Sequence, residues 1–140
     1  MSATLIHHGH IRILNKASNH GRVIVGLTED EQIQQFKGYT PELHFEARRE
    51  ILMAIRFVDE VVATPWLITE DILDLYAIDL LVHGDDNQNS IAEERLIILP
   101  RTEGVSSTEL RQRSVRSLES LNQQKPALSS EHDRNVSPGR

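Results

Sequence analysis

Four short apolar runs set the strongest limit on the fold of this chain. They are Val23-Ile24-Val25-Gly26-Leu27, residues 58–63, residues 79–83 and Leu96-Ile97-Ile98-Leu99. The first is continuous rather than alternating, the pattern of a strand covered on both faces, which is typical of parallel sheets. Amphipathic stretches of helical length separate them. That order predicts right-handed strand–helix–strand crossovers and a doubly wound α/β domain. Ligands in such domains sit beyond the carboxyl ends of the strands.

The connecting segments fit this plan. Residues 9–18 predict a helix with Ile11, Leu14 and Ala17 on one side, closed by Gly21. Thr28-Glu29-Asp30-Glu31 opens a short helix, and residues 37–43 form a loop broken by Gly38 and Pro41. Residues 45–56 predict a helix with Ile51, Leu52 and Ile55 inward, residues 68–76 another, and residues 106 to about 116 the last. From Ser117 to Arg140 the text is polar, with few large apolar residues. Such a stretch buries too little surface to offset its ordering entropy, so one α/β domain at 1–116 and a disordered tail at 117–140 are expected.

Composition removes several classes. A chain of 140 residues suits one domain with a real core. The net charge of −6 disfavours a general nucleic-acid binder. No cysteine is present, so disulfides and thiolate metal sites are out. No leader and no bilayer-spanning run is evident, so a cytoplasmic protein is the default expectation, with neither membrane nor nucleic acid as a partner.

Two segments carry groups suited to a polyphosphate. In His7-His8-Gly9-His10, two imidazoles three residues apart at a helix start can face one ligand, and Gly9 lets phosphate oxygens approach the backbone. Imidazole donors aimed at charge building on a transferred phosphoryl group stabilise the transition state without forming a bond. The plainer reading is a solvated histidine-rich end, or an adventitious metal site including His8. No carboxylate lies close enough in sequence to complete a metal set, so no resident metal ligand is assigned.

The second segment, Arg101-Thr102-Glu103-Gly104-Val105-Ser106-Ser107-Thr108, leads from a strand into the last helix. Free N–H groups and the hydroxyls of Ser106, Ser107 and Thr108 can bind phosphate there, with Arg101 and Thr102 alongside. Ser106 followed by Glu109 is also a capping box, and a capped helix end makes a phosphate site rigid. His83-Gly84-Asp85-Asp86 can read a base or ribose edge, or be an ordinary acidic turn. Lys37 can reach a phosphate or stay solvated. Of Arg48, Arg49 and Arg56, one or two can face the site, although Arg56 equally suits a helix C-terminus. Glu29, Asp30 and Glu31 read as helix-start charge. Trp66 can cover a substrate or serve as an anchor.

Taken in order, these pieces resemble the cytidylyltransferase family, especially its glycerol-3-phosphate and ethanolamine-phosphate members. The resemblance runs from about Leu5 to Arg113. It rests on His7-x-Gly9-His10 for the HxGH motif, Arg56-Phe57-Val58-Asp59-Glu60-Val61 for an RYVDEV-like motif, His83-Gly84-Asp85-Asp86, and Arg101 to Thr108 for an RTxGIST-type signature. HxGH by itself points only to the wider nucleotidylyltransferase superfamily, adenylyltransferases included.

The resemblance implies a Rossmann-like, doubly wound parallel sheet and transfer of CMP from CTP to a small phosphorylated alcohol, releasing pyrophosphate. Glycerol 3-phosphate is the first choice of acceptor and ethanolamine phosphate the second. His7, His10, Lys37 and Arg101 would be catalytic. Gly9, His83, Asp85, Arg101, Thr102, Ser106, Ser107 and Thr108 would hold the nucleotide. Arg48, Arg56 and Trp66 would face the second substrate. Mg²⁺ would accompany the triphosphate, and a homodimer using the RFVDEV region is expected. One departure stands out: the family's first strand and Gly-x-Phe-Asp turn have no match in Met1-Ser2-Ala3-Thr4. A sheet without that central strand is expected, with weak or absent turnover; an inactive nucleotide-binding remnant is the alternative.

Overall fold

The computed structural model describes residues 1–125. It forms two compact units, Met1–Ser107 and the segment from Thr108 onward. In the first, helices and strands alternate as α1 (His8–Ser18), β1 (Ile24–Thr28), α2 (Asp30–Lys37), α3 (Phe45–Met53), β2 (Glu60–Thr64), α4 (Glu70–Leu75), β3 (Leu81–Gly84) and β4 (Leu96–Leu99). Local chemistry sets the boundaries. Thr69 caps α4 by accepting from the Ile72 N–H. Gly38 ends α2 at φ 76°, a left-handed conformation that glycine adopts without steric cost.

Among the described residues all strand pairing is parallel, as the order of apolar runs and helical stretches predicts. β1 pairs with β2 (Val25 opposite Val61) and β3 with β4 (Val82 opposite Ile97). The α/β class therefore holds, but the pairs form two separate two-stranded sheets rather than one. Val23 O and the Glu29 N–H face β2, whereas Gly26 O and the Thr28 N–H face the opposite edge. On that edge Met1 makes one parallel bridge: its nitrogen donates to Gly26 O at 2.7 Å and its carbonyl accepts from the Thr28 N–H at 2.9 Å. This is the edge on which a central strand would pair, in keeping with the interrupted sheet.

The core lies on the β1–β2 side. Leu14, Val23, Val25, Leu27, Leu52, Val58 and Val61 are buried there together with Ala3. β3 and β4 hold no fully buried residue. They are braced instead by Arg95, which donates to Glu70, Asp74 and the Ile78 carbonyl.

Arg48, expected near the second substrate, is a structural residue. It has no exposed surface. Its guanidinium donates to the carbonyls of Leu43, Ser2 and Thr28 and to Asp30. Burial would raise the Asp30 pKa, but the Phe45 N–H and Arg48 hold it below the usual carboxylate range.

Arg56 is likewise displaced from its expected place. α3 stops at Met53, and Arg56 lies in the turn before β2, over the Phe57 ring at 4.9 Å. A residue that precedes a parallel strand lies at the sheet's amino end, away from the crevice. At that end the RFVDEV segment sets register: Asp59 accepts from the Val23 N–H at 2.7 Å, and Glu60 pairs with Arg22.

The last helix, α5 (Ser107–Gln124), passes the boundary expected near Arg116. Leu118, Glu119, Leu121 and the glutamines are good helix formers, and the first breaker is Pro126. Residues 117–124 are thus helical, and the rest of the expected tail, 126–140, lies outside the described residues.

Replacing Arg48 by Ala should strip partners from three carbonyls and one carboxylate at once. A loss of about 3–5 kcal/mol is expected, read as a fall in the urea midpoint. A midpoint within experimental error of the parent would contradict this role.

Candidate functional site

The carboxyl ends of the strands lead into Glu29, Trp66, Asp85 and Arg101, and the segment before α1 runs over the mouth of β1. That segment is firmly held. Ala3 and Thr4 are buried, and Arg48 grips the Ser2 carbonyl. Ser107 Oγ donates to the Leu5 carbonyl at 2.8 Å and lies 3.3 Å from the Leu5 N–H. Ala3 adopts a positive φ of 44°, a costly conformation for a residue with a Cβ, stabilised here by packing.

The histidines form a reciprocal cap on α1. His7 is the N-cap, and its Nδ1 accepts from the Gly9 N–H at 3.0 Å. His10 Nδ1 accepts in turn from the His7 N–H at 3.1 Å. A backbone N–H can only donate, so both Nδ1 atoms must be unprotonated. Each neutral ring therefore carries its proton on Nε2. The ring centroids are 4.0 Å apart. Gly9 is required by this packing: a Cβ there would lie 2.8 Å from His7 Cε1 and 3.5 Å from Thr102 Cβ. The same contact brings the Arg101-Thr102 loop against the histidine turn.

Burial lowers the His10 pKa to about 4, helped by His7, the Met1 nitrogen and Lys37. Burial and His8 lower that of His7. Protonating either ring would also cost its Nδ1 acceptor. Near neutral pH the turn thus presents two uncharged donors at a helix N-terminus.

Fixed positive charge comes from elsewhere. Lys37 Nζ donates to Ser2 Oγ at 3.2 Å and lies 5.7 Å from the Trp66 ring centroid. Arg101 pairs with Asp86 at 3.3 Å and more loosely with Asp85 at 3.9 Å. His83 sits 3.7 Å from Asp86.

The structure therefore gathers His7, Gly9, His10, Lys37 and Thr102, and ties Arg101 to the acidic turn. Ser107 is engaged with Leu5, so its hydroxyl holds the chain entering α1. Ser106 directly precedes α5, and Thr108 belongs to the second unit. Two participants, Ser2 and Phe36, have no signal in the sequence, and Asp86 takes a role other than the base or ribose contact expected of its turn. Ser2 positions Lys37, Asp86 holds Arg101, and Phe36 stacks on Trp66 at 5.4 Å. The contacts of Ser2 and Phe36 span 30 residues or more.

A parallel α/β domain with polar loops at its strand ends and a histidine-capped helix defines a Rossmann-like class of protein, whose crevice lies beyond the strand ends. Residues 4–113 match the cytidylyltransferase-like family, and the chain belongs to that family. It is 35% identical over 122 residues to ethanolamine-phosphate cytidylyltransferase of Arabidopsis thaliana, covering 76% of this chain but 29% of that protein. It is 34% identical over 126 residues to choline-phosphate cytidylyltransferase A of Homo sapiens, covering 80% of this chain and 34% of the relative. Glycerol-3-phosphate cytidylyltransferase of Staphylococcus aureus is 35% identical over 116 residues, covering 77% of this chain and 86% of the relative. Among solved structures, the lipopolysaccharide core biosynthesis protein of Thermoplasma volcanium GSS1 has a TM-score of 0.56 and 16% identity. That match covers 85% of this chain and 84% of the other, and it supports the Rossmann-like fold.

The histidine turn predicts a stability profile. The folded His10 pKa lies below its unfolded value of about 6.5, so between pH 6.5 and 4 the unfolded chain binds the extra proton. This contribution is complete above pH 6.5 and is lost as pH falls towards 4, with a slope on the order of 1 kcal/mol per pH unit. Urea midpoints measured across that range should fall with acidification and fall less steeply in His10→Gln. Parallel profiles would refute the assignment.

Proposed function

We propose that this protein transfers CMP from CTP to a small phosphorylated alcohol. A phosphate oxygen of the acceptor attacks the α-phosphorus in line. The new phosphorus–oxygen bond forms as the bond to the β-phosphate oxygen breaks, and pyrophosphate leaves. No covalent protein intermediate is needed. The supporting observation is the reciprocal histidine cap, which commits both Nδ1 atoms to the backbone and turns two Nε2–H groups into fixed donors. Such donors stabilise charge that grows in the transition state, with little reorganisation as the reaction proceeds.

In this reading His7 and His10 bind the triphosphate, and the close fit at Gly9 and Thr102 sets their distance from the second loop. Lys37 neutralises phosphate charge. Arg101 exchanges its acidic partners for phosphate, while Asp85, near the nucleoside, accepts from sugar or base. His83 and the hydroxyl of Ser106 complete the nucleotide contacts. Mg²⁺ enters with the triphosphate of CTP in this reading. A homodimer through the end that exposes Ile51, Met53 and Arg56 belongs to the same proposal.

The interrupted sheet favours a second reading, nucleotide binding without turnover. The two separate on one experiment, in which pyrophosphate release is followed with CTP and glycerol 3-phosphate together. Release that needs both substrates is expected, with His7→Asn or His10→Asn lowering kcat by about 100- to 1,000-fold and His8→Asn near the parent rate. CTP that raises the Tm without pyrophosphate release would favour the second reading. Equal rates in parent, His7→Asn and His10→Asn would defeat the histidine mechanism.

A further inference from the structure

Asn87 and Asn89 stand on the loop after β3, directly beyond the acidic turn, and both are half-buried. They form a reciprocal pair. Asn89 donates from its backbone N–H and from Nδ2 to Asn87 Oδ1, at 3.1 and 2.8 Å. Asn87 Nδ2 donates back to the Asn89 carbonyl at 3.2 Å. The Asn87 N–H closes the acidic turn on the Gly84 carbonyl. Asn89 Oδ1 points out of the pair and accepts from the Ile68 N–H at 2.7 Å. Backbone groups fix both amide orientations, because an N–H only donates and a carbonyl only accepts.

Ile68 lies in the loop after β2, on the other side of the divided sheet. Among the described residues no strand pairing joins β1–β2 to β3–β4. The first pair is anchored in the core, whereas the second holds no fully buried residue. The position of the acidic turn therefore depends on side-chain bonds that cross the divide. Glu70 accepts from the Ala92 N–H and from Arg95 farther along the chain. Asn89 makes its bond three residues beyond Asp86, at the mouth itself.

Resting on the cytidylyltransferase reading above, we propose that Asn89 is a positioning residue for the nucleotide. By tying the acidic turn to the loop after β2, it sets Asp85, and the Arg101 that Asp86 holds, at a fixed distance from the histidine turn. His7 and His10 open α1, whose Leu14 is part of the β1–β2 core. The acidic turn rides on the weakly buried pair. A nucleotide gripped from both halves reacts well only while the halves keep their spacing, and a displacement of about 1 Å can cost on the order of 100-fold in rate. Asn89 acts through the turn and not on the substrate.

Amide hydrogen exchange and steady-state kinetics test this on two variants of the full chain. Asn89→Ala removes the acceptor of the Ile68 N–H, and Asn87→Ala removes the brace but leaves that acceptor in place. In Asn89→Ala, exchange at the Ile68 amide and across residues 84–89 should quicken by about tenfold, with β1 and β2 unchanged. Parent-like exchange there overturns the tie, whatever the activity. The KM for CTP should rise about five- to tenfold in Asn89→Ala and less in Asn87→Ala, with the KM for glycerol 3-phosphate within about twofold of the parent. A purely structural defect lowers the folded fraction, which reduces kcat and leaves both KM values alone; that pattern overturns the positioning role. Should Asn89→Ala fail to fold, Asn87→Ala carries the test, and parent-like exchange at 84–89 with a parent-like KM for CTP overturns the proposal. If the parent itself releases no pyrophosphate, the transferase reading fails, and the exchange contrast still decides whether Asn89 ties the two loops.

Discussion

The buried guanidinium of Arg48 is the contact on which the architecture of this end of the molecule depends. One planar group joins the loop before α3, the mouth of β1, the start of α2 and the chain at Ser2. Its charge is balanced by Asp30 and its donors by carbonyls, which makes so deep a cation tolerable. Ser2 fixed in this way becomes the anchor for Lys37 and the starting point of the turn that leads to His7. A residue with no exposed surface therefore governs where the exposed ones stand.

Electrostatically, the site separates two tasks. The imidazoles are kept neutral by burial and by their own cap, so they act as oriented donors and not as charges. Fixed charge is left to Lys37 and Arg101, each parked on a local partner that a phosphate can replace: an aromatic face and a hydroxyl for one, an acidic turn for the other. Half-exposed pairs of this kind contribute little to stability, so exchanging them for a polyphosphate costs little. The weakly buried β3–β4 pair carries the acidic turn and the approach to Arg101, and low-stability elements are where ligand-linked movement concentrates.

Much of this was legible in the chain itself. The apolar runs gave four parallel strands, and His7-x-Gly9-His10 gave a helix start. The reading failed for side chains whose role depends on distant partners. Arg48 and Arg56 look alike in sequence, yet one is sealed beneath the site and the other lies at the amino end of β2. Nothing local distinguishes them, because the difference lies in which carbonyls lie within reach after folding. Ser107 was similarly read as a phosphate ligand, and its hydroxyl instead clasps Leu5, about a hundred positions away in the chain. The last helix runs past its expected end because the helix propensity of residues 117–124 outweighs their polarity.

What the sequence determined by itself was class and local geometry: strand direction from the alternation of apolar runs with helical stretches, and a histidine turn whose spacing and glycine suit a cap. These follow from period and sterics, which act over a few residues. Tertiary structure alone decided which cations are free, which ring nitrogens hold protons, and that the sheet divides between β1 and β3. Those properties arise from desolvation and from hydrogen bonds between segments far apart in the chain, so they exist only once folding has brought the partners together.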